Sequence, residues 1–444
     1  MTVVRNAIRL IAINAVVLAV LAELASLGWY FFLHGTLYYT RPTVPIPALA
    51  TQPPPLTNFR IAPYFGFMRA PGLALKDAVP AERLAGLAAP ERAPAWTAVA
   101  TNNYGFLSPH DFPFAAPGTQ PFVVGVFGGS VAQWFALQGA VTLARELRGV
   151  AAMRDREIFV LNLGTGGYKQ PQQLLALNYF MALGQRFDFV INLDGFNEIA
   201  LARHNIAAGI AVGMPSVEHM GPLARLAPLS PGGDDSDAVA ELARLKRKSA
   251  ELASSATRQP LALGYVIDTL RLRRATFAIA ETTAQLAATP PPAARSLVAL
   301  TPLAPSVVGS GDAAVALWSA SSRQMHDLLH SRGIPFLQVV QPNQYFGGHR
   351  FGVAEAARAV REDSPYRAHV QNGYPLLLAA LPALRGGGVA VLDATTLFDA
   401  EPAAVYADDC CHYNQYGNDL LARAVAPAMI AALDRAPRVP ALAR

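Results

Sequence analysis

Cysteine is almost missing from this chain of 444 residues: there are two, Cys410 and Cys411, and they are neighbours. No pair of distant segments can be stapled, so the core must hold the fold in any redox compartment. A ring closed between adjacent cysteines is strained, so the pair reads as two small buried thiols. Charge is also scarce, at 15% of residues. The net +5 is spread along the chain, and its short clusters at Lys246-Arg247-Lys248 and Arg271–Arg274 read as solvated helix faces. No nucleic-acid motif accompanies them, and nucleic acid is not an expected partner. Internal repeats are missing as well. His326 and His330 stand four apart in a helical stretch but lack a third ligand. No metal and no cofactor are expected.

The apolar residues, 52% of the chain, are partly gathered in one N-terminal stretch. Leu10–Leu33 is long enough for a bilayer at about 1.5 Å per helical residue. Arg5 and Arg9 precede it, and Trp29, Tyr30, Tyr38 and Tyr39 crowd its far end as an interfacial belt would. The bulky end argues for an uncleaved anchor over a signal peptide, which wants small residues at a cleavage site. The positive-inside tendency puts the rest of the chain on the extracytoplasmic, periplasmic side, although Arg41 and Arg60 weigh against it. Glu23 in mid-span is costly unless it snorkels, protonates or pairs with a membrane partner protein.

Three stretches follow the anchor segment of residues 1–35. Residues 36–118 begin with six prolines in Arg41–Pro55, an extended spacer. They continue as an irregular, aromatic lead-in packed on the main domain. Residues 119–435 show strands at Phe122–Phe127, Glu157–Leu163, Asp188–Leu193, Ile334–Val340 and Val389–Leu392. Helical patterns separate them at Ser130–Gly149, Gln170–Leu183, Asp312–His330 and Tyr374–Leu384, and a last helix covers about Asn414–Leu433. Short apolar strands alternating with helices predict an α/β fold with a parallel sheet covered on both faces. Between the third and fourth strands, residues 203–333 read as a helical insertion or cap, with helices at Val239–Ala256 and Leu261–Ala288 and a loop at Pro290–Pro305. Residues 436–444 are a tail.

In a parallel sheet, ligands bind outside the carboxyl ends of the strands, so the chemistry is sought there. Ser130 directly follows the first core strand and opens a helix, whose N–H groups favour developing negative charge; as a plain helix cap it would look the same. The second strand runs into Asn162-Leu163-Gly164-Thr165-Gly166-Gly167-Tyr168, where a glycine can present an unobstructed N–H or simply turn. The third ends in Asp194-Gly195-Phe196-Asn197-Glu198, where Asn197 suits either an oxyanion donor or a helix cap. Near the C-terminus, Asp409-Cys410-Cys411-His412 sets a carboxylate three residues before an imidazole, a spacing that can fix its tautomer. Asp408 is an alternative partner at one residue's greater remove. Gln341 and Asn343, just after the fourth strand, are placed to touch a substrate or to serve as plain loop. The elbow G-x-S-x-G of another hydrolase fold is not matched, because Gly128-Gly129-Ser130-Val131-Ala132 lacks its last glycine.

Taken together in this order, the four blocks resemble the SGNH (GDSL-type) hydrolases. Phe127-Gly128-Gly129-Ser130 is similar to the first block, with Gly129 where the family has Asp. Asn162–Gly167 is similar to the second, Gly195-Phe196-Asn197-Glu198 to the third with Glu for Asp, and Asp409-Cys410-Cys411-His412 to the D-x-x-H block. The likeness covers roughly residues 120–200 and 334–434. It implies a three-layer α/β/α sandwich in which Ser130 is the nucleophile, His412 its base and Asp409 the residue that orients the base. The oxyanion hole would be Ser130 N–H, Gly167 N–H and the Asn197 amide. The function so implied is a membrane-tethered ester hydrolase acting on O-acyl, above all O-acetyl, groups of a cell-envelope glycan or related molecule. An O-acyltransferase using the same triad, or a non-catalytic envelope scaffold, is the alternative.

Overall fold

The computed structural model describes residues 2–40, 59–78, 98–113, 121–226, 234–288 and 311–435. The spacer at 41–55, the loop at 290–305 and the tail at 436–444 lie outside them. The chain divides into two compact units, residues 1–54 with 225–297 and residues 55–224 with 298–444. The insertion expected over 203–333 is thus shared between them.

The larger unit is built on strands that are apolar on both faces, as a covered parallel sheet requires. After a two-stranded antiparallel hairpin, β1 (Phe59–Ala62) and β2 (Gly66–Arg69), come five parallel strands. These are β3 (Phe122–Gly128), β4 (Ile158–Gly164), β5 (Phe189–Asp194), β6 (Phe336–Val340) and β7 (Ala390–Asp393), in the spatial order β4-β3-β5-β6-β7. Every residue of β3, β5 and β6 is buried. The helical run that begins at Ser130 packs with Gln415–Arg435, while Phe196–Ala207, Gly311–His330 and Arg367–Gly386 pack with one another. Right-handed crossovers put these two groups on opposite faces, which gives the three-layer α/β/α sandwich. Each of the five parallel strands lies where the sequence places it, within a residue or two at its ends, whereas the hairpin β1–β2 lies in what the sequence reads as an irregular lead-in. The helix expected over Ser130–Gly149 carries one irregularity, a π-helical turn at Phe135–Gly139.

Strand order decides where a site can form. From β3 the chain crosses to β4 on one side, then returns past β3 to β5 on the other. Loops leaving β3 and β5 therefore diverge, and a crevice opens at their carboxyl ends. The aromatic lead-in packs on this unit as expected: Phe65, Phe67, Met68 and Phe106 join the core cluster of Phe127, Tyr168 and Phe180.

In the smaller unit, the helix Thr2–His34 contains a segment, Arg9–His34, with a mean hydropathy of 2.3, long and apolar enough to span a membrane. The helices Asp234–Arg258 and Ala262–Ala288 are joined by a short turn and pack against each other. Glu23 is paired within its own unit. Its Oε1 accepts from the Ala262 N–H at 2.8 Å and from the Tyr39 hydroxyl at 2.6 Å, and its Oε2 accepts from the Leu263 N–H at 2.8 Å. A carboxylate on two orphan donors at a helix start is the favourable arrangement of charge and dipole. Tyr30, Tyr38 and Tyr265 stack edge-on around the contact, and the Tyr38 hydroxyl donates to Gln259 O at 2.6 Å.

Candidate active site

Ser130 is the first residue of the helix that leaves β3, and its side chain is part-exposed. The turn into that helix requires glycine for space. A Cβ at Gly129 would lie 2.1 Å from Asn197 Nδ2. A side chain at this position would push the Asn197 amide away from where it stands. Asn197 is buried, opens the helix after β5, and donates from Nδ2 to Tyr168 O at 2.7 Å.

The loop after β4 is tied to both neighbours. Thr165 N–H donates to Gly128 O at 3.2 Å, and Tyr168 N–H closes a turn on Thr165 O at 3.0 Å. Gly166 and Gly167 form its tip. The Cβ position of Gly166 is 3.8 Å from Ser130 Cβ, so this tip lies beside the serine. Gly167 has φ +83°, and a Cβ there would strike the His219 ring at 2.3 Å, so conformation and space both demand glycine. Glu198 braces the loops from below: Oε2 accepts the Gly195 N–H at 2.8 Å, and Oε1 accepts Gln170 N–H at 3.2 Å and Gln173 Nε2–H at 3.0 Å. Burial raises the Glu198 carboxyl, against these donors.

The second half of the site comes from the loop before the last helix. His412 Nε2 lies 2.7 Å from Ser130 Oγ, and its ring is buried. The expected orienting residue requires a correction. Asp408, not Asp409, meets the other ring nitrogen, with Oδ2 2.5 Å from Nδ1. Asp408 Oδ1 accepts the N–H groups of Cys410, Cys411 and His412 at 3.1, 3.2 and 3.3 Å, so the loop is wound around this carboxylate. That winding points Asp409 outward, where Arg361 Nη1 donates to it at 3.2 Å. Burial opposes charge on His412, but the Asp408 carboxylate and Cys411 outweigh it, and the imidazole titrates above its ordinary value.

Gln341 and Asn343, the expected substrate contacts, lie on the loop that leaves β6. Both are buried. Asn343 donates from Nδ2 to Cys410 O at 3.4 Å and accepts the Tyr345 N–H at 3.0 Å, so its amide shapes the loop. Gln344, Tyr345 and Tyr413 add bonds to Asp408 O, Asp409 O and Pro342 O.

Two residues without a sequence motif join the site. Arg69, from β2, donates to Gln133 Oε1 at 2.8 Å, and its Nη2 is 3.6 Å from the Cβ position of Gly166. His219 lies face to face with Phe67, ring centroids 4.8 Å apart, and covers Gly167. The segment that leads to it is held by Lys169 Nζ, which donates to the carbonyls of Val212 and Met214. Burial lowers this lysine to about 8, with Glu198 opposing.

No protein-family model matches the sequence, and no curated protein matches it. Among solved structures, the acetylxylan esterase Axe2 from Geobacillus stearothermophilus is 11% identical, over 69% of this chain and 93% of its own, with a TM-score of 0.31. LAE5, an alpha/beta hydrolase enzyme from the metagenome of Lake Arreo, Spain, is 12% identical, over 72% of this chain and 97% of its own, with a TM-score of 0.31. Superpositions this loose carry no argument about chemistry, which rests on the side chains of the chain itself.

Proposed function

We propose that the α/β unit is a serine-dependent ester hydrolase with Ser130, His412 and Asp408 as its triad. The observation that carries this reading is the unbroken line from Asp408 Oδ2 through both ring nitrogens of His412 to Ser130 Oγ, at 2.5 and 2.7 Å. His412 Nε2 takes the hydroxyl proton as Oγ attacks the ester carbonyl. The imidazolium that forms is held by Asp408 and then gives its proton to the leaving alkoxide. Developing charge on the carbonyl oxygen meets the N–H of Ser130, the loop tip at Gly166–Gly167 and, once it turns from Tyr168 O, the Asn197 amide. Water, activated by the same imidazole, releases the acyl group.

Arg69 Nη2 and Ser130 Cβ stand 3.6 and 3.8 Å from the Cβ position of Gly166, and a guanidinium this near the nucleophile favours a polar alcohol carrying a short acyl group. An O-acetylated hydroxyl-rich molecule, such as an envelope glycan on the outer face of the membrane, fits that description. A fluorophosphonate probe tests the mechanism: it labels the native chain and fails on Ser130→Ala and His412→Ala. Labelling that persists in Ser130→Ala places the nucleophile elsewhere. Acetate release from O-acetylated glycans, compared with lipid esters, tests the substrate class.

A further inference from the structure

The thiols of the site take no part in ester chemistry, yet they stand at its base. Cys410 Sγ and Cys411 Sγ are 2.9 Å apart, and Cys411 Sγ is 3.9 Å from His412 Nε2. All three donor atoms lie within 4.8 Å of one another. We propose that Cys410, Cys411 and His412 are a binding site for a thiophilic divalent cation of the zinc or cadmium class, whose capture takes His412 Nε2 away from Ser130. The cation site stands on its own; its consequence for turnover rests on the hydrolase reading.

The geometry suits such an ion. Zinc binds thiolate at about 2.3 Å and imidazole nitrogen at about 2.0–2.1 Å, so tetrahedral ligand atoms stand about 3.5–3.8 Å apart. The Cys411 sulfur, 3.9 Å from His412 Nε2, stands close to that spacing, and a side-chain rotation on the half-buried Cys410 that parts the two sulfurs, 2.9 Å apart, by less than about 1 Å while drawing Cys410 toward the imidazole completes it. The imidazole is presented as metal-binding histidines are, with one nitrogen on a carboxylate, here Asp408, and the lone pair of the other facing the site. Ser130 Oγ, 2.7 Å from that nitrogen, or a water takes the fourth position. Since Ser130 is part-exposed, the ion enters by the opening that admits substrate. In the binding step two S–H bonds break, two metal–sulfur bonds and one metal–nitrogen bond form, and two protons leave to water. Two thiolates neutralise the dication, which a buried site demands. The sequence reading found no metal ligands because adjacent cysteines are a poor spacing for one ion; the turn wound on Asp408 is what gathers them.

The test uses the full chain in detergent, reduced and stripped of metal, titrated with cadmium and with zinc. The ultraviolet thiolate-to-cadmium band is expected to saturate at one equivalent, in Ser130→Ala as in the native chain. Hydrolysis of a short chromogenic ester is expected to fall more than tenfold with zinc and to return on adding chelator. Cys410→Ser is expected to lose the band and to change less than twofold from its own metal-free rate. A band that does not saturate at one equivalent overturns the site, as does equally deep inhibition of Cys410→Ser. A band at one equivalent in a chain with no esterase activity upholds the cation site and sinks the hydrolase reading alone.

Discussion

Ser130, Gly167 and Asn197 stand within a few residues of the ends of parallel strands, whereas His412 stands far along the loop that leaves β7, just before the last helix. The first group is positioned by main-chain register: β3 pairs with β4 and β5 residue for residue, and the turns beyond them close on backbone carbonyls. The second is positioned by side chains bonding to backbone: one carboxylate takes three amides, and Asn343, Gln344, Tyr345 and Tyr413 supply the clamps. A register is specified over many residues and resists error. A loop wound on one side chain depends on which of two adjacent aspartates does the winding.

The largest expected effect breaks that dependence. Asp408→Asn should lower kcat by about 10^4, the magnitude lost when a triad carboxylate is replaced by its amide. Asp409→Asn should change it by less than about twofold, since an exposed ion pair contributes little. Turnover of a chromogenic acetate ester, with circular dichroism to confirm folding, separates the two; equal losses would restore Asp409 to the triad.

Next comes the strand-end half. Asn197→Ala should cost about 10^2–10^3 in kcat as an oxyanion donor is lost. Gly129→Ala should cost about as much by driving the same amide away, and the double variant should be no worse than either single one. Full additivity in kcat would show that the two residues act separately.

A smaller effect concerns pH. Asp408, Cys411 and Ser130 face the His412 ring, and the net effect raises its pKa. Only the neutral imidazole accepts a proton, so the rising limb of kcat/KM should lie above the ordinary histidine value of about 6.5. Asp408→Asn should bring the residual limb down toward that value, measured with chelator present. The ion pair also stabilises the fold below the unfolded pKa, and that contribution fades as pH rises through the folded one. The smallest expected effect is at the clamp: Asn343→Ala, which strands Cys410 O and Tyr345 N–H, should cost about 1–3 kcal/mol in denaturant unfolding.

This contrast also explains what was legible beforehand. Strands apolar on both faces announced the sheet, and the glycine and polar residues at their ends announced Ser130, Gly167 and Asn197. Nothing local distinguished Asp408 from Asp409, because the choice is made by where amides 410 to 412 point. Asn343 looked like a loop residue open to substrate, since its partners lie 67 residues on at Cys410 and two on at Tyr345. Arg69 and His219 were invisible: Arg69 reaches the site from the aromatic, weakly periodic lead-in and His219 from the helix Val217–Leu226, and only the fold reveals their packing. Glu23, a costly charge when read alone, is matched by amides 239 and 240 residues away.

The β1–β2 hairpin has a practical bearing on any attempt to isolate the enzyme. Its Phe67 and Met68 are part of the same apolar interior as the sheet, and its last residue grips Gln133 one turn beyond the nucleophile. A soluble fragment trimmed to begin at residue 119, where regular alternation starts, would therefore be missing part of its own wall. The shortest piece worth expressing starts upstream of Phe59.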